Sequence, residues 1–206
     1  MRSHVFDFAL EVDRQIGALT REQSYLRTGR AKRLIEELYP LSRFALRLKY
    51  PGNNPEIEAF EDDGPLDGSI HWGGERGSKL NIEVTYVHSY QEALRSELLF
   101  NTGSTPGAGS IYRDRKTGNI VATSAVVPTA EEVAQLAAAI VERFEKKRTK
   151  HYPIGTALLI AFDNPTFFGF DSWWQLAADI NARGSLEGGF GEVHLFNCGS
   201  NELQTI

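Results

Sequence analysis

Lys79-Leu-Asn-Ile-Glu-Val-Thr-Tyr-Val87 reads as a β-strand by strict alternation. Leu80, Ile82, Val84 and Tyr86 fall on one face, Asn81, Glu83 and Thr85 on the other. Upstream, Pro65-Leu66-Asp67 leads into Gly-Ser-Ile-His-Trp72, which alternates in the same way. Asp67, Ser69 and His71 share one face there, and Ile70 and Trp72 the other. Paired as a hairpin, the two strands bring Asp67 and Glu83 onto a common polar face. Directly opposed residues on adjacent strands have Cβ atoms about 4.5–5.5 Å apart and diagonal neighbours about 7–8 Å, close enough for one ion to bridge two carboxylates. Carboxylates that close repel, and their pKa values shift unless a cation or a proton sits between them.

Working outward, residues 4–38 carry helical periodicity. Val5, Phe8, Ala9, Val12, Ile16 and Leu19 form one stripe, and Ala31, Leu34, Ile35 and Leu38 another. Pro40 is expected to stop that helix. Arg43-Phe-Ala-Leu-Arg-Leu-Lys49 alternates as a strand with Phe44, Leu46 and Leu48 inward, ended by Pro51-Gly-Asn-Asn-Pro55. After an acidic loop come the Asp67 strand, a turn at Gly73-Gly-Glu-Arg-Gly77 and the Glu83 strand, so three strands in a meander are expected. Residues 88–99 read as a helix and 101–109 as a loop. The segments 110–113 and 120–125 flank Asp-Arg-Lys-Thr-Gly-Asn as an inserted hairpin. Thr129 is placed to cap a long helix with Glu131 and Glu132 in its first turn and basic residues at its end. Its apolar stripe is Val133, Ala137, Ile140 and Phe144. Thr156-Ala-Leu-Leu-Ile-Ala-Phe162 is apolar enough for a strand buried on both faces, and a helix over 171–182 and a strand over 192–197 close the chain.

With 206 residues, the chain is long enough for one well-buried core and short for two, and no linker or repeat divides it, so one domain over 1–206 is expected. No stretch has the run of about 18 apolar residues that a membrane helix needs. The N-terminus lacks the apolar core of a signal peptide, and a single cysteine, Cys198, excludes an internal disulfide framework. A cytoplasmic address follows as the expectation. Net charge is −5, yet Arg21 to Lys49 holds eight basic residues against three acids, and Lys146-Lys-Arg-Thr-Lys-His151 is a second basic run. Such clusters supply phosphate contacts or are simply solvated faces.

The order helix, three strands, helix, strand resembles the PD-(D/E)xK, or restriction-endonuclease-like, superfamily, with the Asp of Pro65-Leu66-Asp67 on the second strand and Glu83-Val84-Thr85 on the third. The resemblance covers roughly 25–162 and implies an α/β fold with an αβββαβ core. A mixed central sheet would be flanked by helices, with an inserted hairpin and a C-terminal helix–strand extension. It further implies DNA as partner and Mg²⁺, or Mn²⁺, as cofactor. Asp67, Glu83 and the Val84 carbonyl would be the ligands in phosphodiester hydrolysis.

Thr85 departs from the pattern, since the family usually has lysine there. Lys147, which extends the inward stripe three residues beyond Phe144, is the best substitute, with Lys150 beyond it. The alternative role for both is to complement the helix dipole. Thr28-Gly-Arg-Ala-Lys-Arg partly matches the opening of junction-resolvase relatives, but Lys32 stands where their glutamate would be; Glu36, one turn on, could compensate. His71 is either a base or a surface histidine. The competing function is a catalytically inactive relative acting as a nucleic-acid or protein binding module, and a homodimer remains an open alternative.

Overall fold

A computed structural model describes residues 2–61, 64–73, 77–164 and 170–206, apart from the Phe170 side chain. Asp62, Asp63 and residues 74–76 of the expected turn lie outside it. In chain order the first elements are β1 (Arg2–His4), α1 (Val5–Gly17), α2 (Arg21–Leu26) and α3 (Arg30–Arg33). A π-helical stretch, Leu34–Leu38, runs into α4 (Tyr39–Arg47). Then follow β2 (Glu56–Ala59), β3 (Gly68–Trp72), β4 (Ser78–Val87), α5 (Tyr90–Thr102) and the hairpin β5 (Ile111–Arg113) and β6 (Ile120–Ala122). The chain closes with α6 (Thr129–Arg148), β7 (Ala157–Phe162), α7 (Phe170–Arg183), β8 (Glu192–Asn197) and β9 (Glu202–Thr205).

These build a mixed sheet of seven strands in the order β1-β2-β3-β4-β7-β8-β9. From β1 to β4 neighbours are antiparallel, β4, β7 and β8 run parallel, and β9 returns antiparallel to β8. The parallel pairs need long crossovers, which α6 and α7 provide. Helices cover both faces. On one, Val5, Leu41 and Phe44 pack against Ile57, Ile70, Ile82, Val84 and Leu159. On the other, Ile140, Phe144 and Leu176 pack against Leu158, Ile160, Phe162 and Leu195. The central strand β7 is thus buried on both sides, as its unbroken apolar run requires. Among the described residues no helix is long and apolar enough to cross a membrane.

The segment 43–49 is not a strand. Phe44 and Ala45, with Leu41 before them, lie three and four residues apart on the buried face of α4, so the apolar spacing satisfies a helix as well as an alternation. Pro40 does not end the preceding helix either. The Tyr39 N–H bonds back five residues to the Leu34 carbonyl, and this widened turn passes the proline into the first turn of α4, where no N–H is needed. The meander's first strand is instead β2, in what reads as the acidic loop, with Ile57 inward. Strands β1 and β9 go unread in the sequence. Thr129 is the first helical residue of α6 rather than its cap: Pro128 holds the cap position and no side chain bonds there.

Candidate functional site

The site forms where β3 gives out. Its first residue, Gly68, pairs with Ile82, so among the described residues the β3-side edge of β4 has no partner strand from 83 to 87. Asp67 sits at this junction, in the bend before β3. Its N–H donates to the Ile82 carbonyl (3.0 Å), and its Oδ2 accepts the Val84 N–H at 2.7 Å. A carboxylate thus takes the place of the next ladder bond and is fixed against β4. Gly68 is required there: a Cβ would stand 2.9 Å from the Glu58 carbonyl oxygen and 2.8 Å from Leu41 Cδ2.

Glu83 points to the opposite face from Val84 and is only 4% exposed. Its Oε1 accepts from the Lys147 ammonium and from the Tyr152 hydroxyl (3.3 Å). The same ammonium lies 3.4 Å from the Val84 carbonyl oxygen. Lys147 arrives there because the buried stripe of α6 seats Phe144 in the core and projects the next turn onto β4. Burial and the neighbouring Asp67 charge push the Glu83 carboxyl above its usual value, outweighing the ammonium that favours ionisation. Tyr152 is raised by burial and then by the Glu83 charge, so it stays a phenol and a donor. Glu37, from the π-helical stretch, is raised by burial and the Asp67 charge, while Arg33 and Lys147 pull it down. Its field therefore meets theirs, and its carboxylate lies 3.5 Å from Arg33.

The structure brings together Asp67, Glu83, the Val84 carbonyl and Lys147. Thr85 shares Glu83's face, is 7% exposed and lines the adjoining cleft. Glu36 is held by Arg27 at 3.2 Å. Lys150 lies past the end of α6, exposed, and its side chain has no hydrogen bond or ion pair among the described residues. His71 is elsewhere on β3, bonded to Ser69 Oγ at 2.8 Å and 3.9 Å from Glu58. Tyr152 and Glu37 are participants that strand alternation does not reveal: one comes from a loop, the other from a helix whose period changes locally.

Among the described residues no three His, Cys, Asp or Glu side chains form a group that could hold a metal. Mg²⁺, however, is commonly held by one or two carboxylates together with waters and substrate phosphate. Asp67 Oδ1 and Glu83 Oε2 accept no hydrogen bond among the described residues, and with the Val84 carbonyl they make a hard-oxygen donor set that fits such an ion.

Beside this cluster lies a cleft of about 760 Å³, lined by α2, α3, the π-helical stretch, the open edge of β4, α5 and α6. Arg27, Lys32, Arg143 and Lys147 contribute its positive charge. Burial, together with Arg27, Arg143 and Lys32, drives His88 on its wall down to about 4, so this imidazole is neutral. Another cavity, of about 680 Å³, lies beside Tyr50 and Trp72; among the described residues its lining has Arg47 and Tyr50 as ionisable groups and no carboxylate. No family model, no curated protein and no solved structure matches the chain, so its function has to be read from this arrangement.

Proposed function

We propose that the protein is a Mg²⁺- or Mn²⁺-dependent hydrolase of DNA phosphodiesters, built as a PD-(D/E)xK-type nuclease. The observation that carries the reading is the Lys147 ammonium, which reaches Glu83 and the Val84 carbonyl beside an anchored Asp67. It supplies from α6 the positive charge that Thr85 does not bring. The element order supports the same reading: a helix, the antiparallel strands β2, β3 and β4, then α6 and a β7 parallel to β4.

Asp67, Glu83 and the Val84 carbonyl would hold the cation, which when bound supplies Lewis acidity and lowers the pKa of a coordinated water. Lys147 stabilises negative charge developing on the phosphate oxygens, and it acts from a partly buried position where water screens it less than in bulk. Tyr152 donates to Glu83 and keeps that carboxylate oriented. Thr85 presents a hydroxyl that can position a water at the cleft floor.

A second reading has its own support. Lys147 already neutralises Glu83, and Thr85 stands in the lysine position, as suits a fold that binds nucleic acid without cutting it. The two separate in one assay. Linear single-stranded and duplex DNA are incubated with Mg²⁺ or Mn²⁺, using wild type, Asp67→Ala, Glu83→Ala and Lys147→Ala. The hydrolase reading expects metal-dependent cleavage, reduced at least about 100-fold by each substitution. Binding without cleavage of either substrate by wild type decides for the module, and cleavage undiminished in Lys147→Ala removes the role given to that lysine.

A further inference from the structure

The cleft beside the carboxylates has features that a single bound phosphate would not need. Arg143 and Lys147 both line it and stand one turn apart on α6, about 6 Å along the helix axis. An extended strand covers such a step between successive phosphates. Lys32, on α3, lines the same cleft, and its charge acts with that of Arg143 on His88. Among the described residues neither Lys32 nor Arg143 has a carboxylate within ion-pair distance. The acids of the lining are otherwise engaged: Glu36 with Arg27, Glu37 with Arg33 and Glu97 with Arg113. Neutral His88 adds no charge but offers a nitrogen acceptor or donor on the same wall.

The cleft is also walled by a pair of packed helices. Helices α2 and α5 both line it and pack against each other. The Arg21 guanidinium donates to the Leu99 carbonyl at 3.3 Å and sits 5.6 Å from the Tyr25 ring centroid and 5.9 Å from that of Phe100. Tyr25 lines the same cleft, its ring held by this contact. At about 760 Å³ the space is that of a pocket for a drug-sized molecule. A nucleotide or two fits it; a double helix does not. A row of cations beside an aromatic ring is the chemistry that binds single strands without reading sequence.

We propose that this cleft is a channel for a single polynucleotide strand, in which Arg143 and Lys32 hold the phosphates next to the one at Lys147, Tyr25 stacks a base, and the α2–α5 pair keeps a duplex out. The proposal rests on the phosphodiester reading for the position of the reacting phosphate.

Its test is binding in the absence of divalent cations, so that cleavage plays no part. Fluorescence anisotropy follows a labelled 12-nucleotide DNA strand, the same sequence as a blunt duplex, and an unlabelled mononucleotide as competitor. Wild type is expected to prefer the single strand by at least tenfold. Lys32→Ala and Arg143→Ala each weaken it about five- to tenfold and reduce the slope of log affinity against log salt by about 0.7. Lys116→Ala, on the exposed hairpin, leaves it unchanged. Equal or tighter binding of duplex, wild-type affinity in both cleft variants, no binding of the strand, or equal competition by the mononucleotide would overturn the channel. A protein that binds single strands in this way yet never cuts keeps the channel and loses the hydrolase reading. One that cuts but prefers duplex does the reverse.

Discussion

At the scale of single residues, the site is a set of charges that burial makes consequential. Glu83 is a carboxylate that β4 carries into the interior, and only an ammonium, a phenol or a metal ion makes it tolerable there. His88 states the complementary fact about the cleft. In the unfolded chain it takes a proton near 6.5, and in the folded chain only near 4, because burial and then Arg27, Arg143 and Lys32 oppose the imidazolium. Between those values the unfolded chain binds a proton that the folded chain refuses. The contribution is therefore complete above about pH 6.5 and is lost as pH falls toward 4. Urea midpoints measured near pH 7 and near pH 4.5 should fall further for wild type than for His88→Gln. Equal falls would mean that folding does not hold this imidazole below its ordinary value, through burial or through the three cations.

At the scale of elements, the helix α2 has no buried residue, so its order depends on its ends and on α5. Thr20 Oγ1 accepts the Gln23 N–H at 3.2 Å, and the Gln23 side chain accepts the Thr20 N–H at 2.9 Å, a reciprocal cap. Thr20→Ala should cost about 1 kcal/mol, felt locally. Amide exchange over 21–26 should quicken with little change in the global unfolding midpoint, and preference for single strands over duplex should shrink. Unchanged exchange would show that α5 alone holds the helix. The same scale explains what could be read in advance. Glu83 and Lys147 follow from two short periodicities, alternation along β4 and the Val133–Phe144 stripe of α6, because both faces are set by burial. Asp67, expected on the face of the second strand, stands instead in the bend before β3 with its carboxylate on the Val84 N–H. The segment 43–49 alternates at 44, 46 and 48 like a strand, but Leu41, Phe44, Ala45 and Leu48 keep helical spacing as well, and tertiary packing of Leu41, Phe44 and Ala45 chose the helix. Glu37, beside Glu36, points differently from it on ideal helical spacing, and it comes under the Asp67 charge in a π-helical stretch closed by a five-residue backbone bond at Leu34–Tyr39, which no side-chain pattern announces. Strands β1 and β9, of three and four residues, are too short to carry a period and exist by pairing with their neighbours.

At the scale of the whole molecule, one sheet separates two apolar layers, with Phe44 wholly buried in one and Phe144 in the other. Phe44→Ala and Phe144→Ala should each destabilise by about 3–5 kcal/mol, and their effects should add, since the sheet lies between them. Only the Phe144 change should also weaken metal-dependent cleavage, because it unseats the turn that carries Lys147; equal loss from both would mean that global stability alone governs activity. Asp67 has a last consequence at this scale. An unpaired strand edge is a template on which a strand of another molecule can add. Along 83–87 that edge is occupied at its first N–H by a carboxylate, and the Lys147 ammonium lies over the adjoining carbonyl. An incoming strand would have to displace two charges before its first backbone bond could form. The residues given a role in the proposed chemistry therefore also guard this edge against strand addition, so that Asp67→Ala is expected to raise aggregation as well as lower activity.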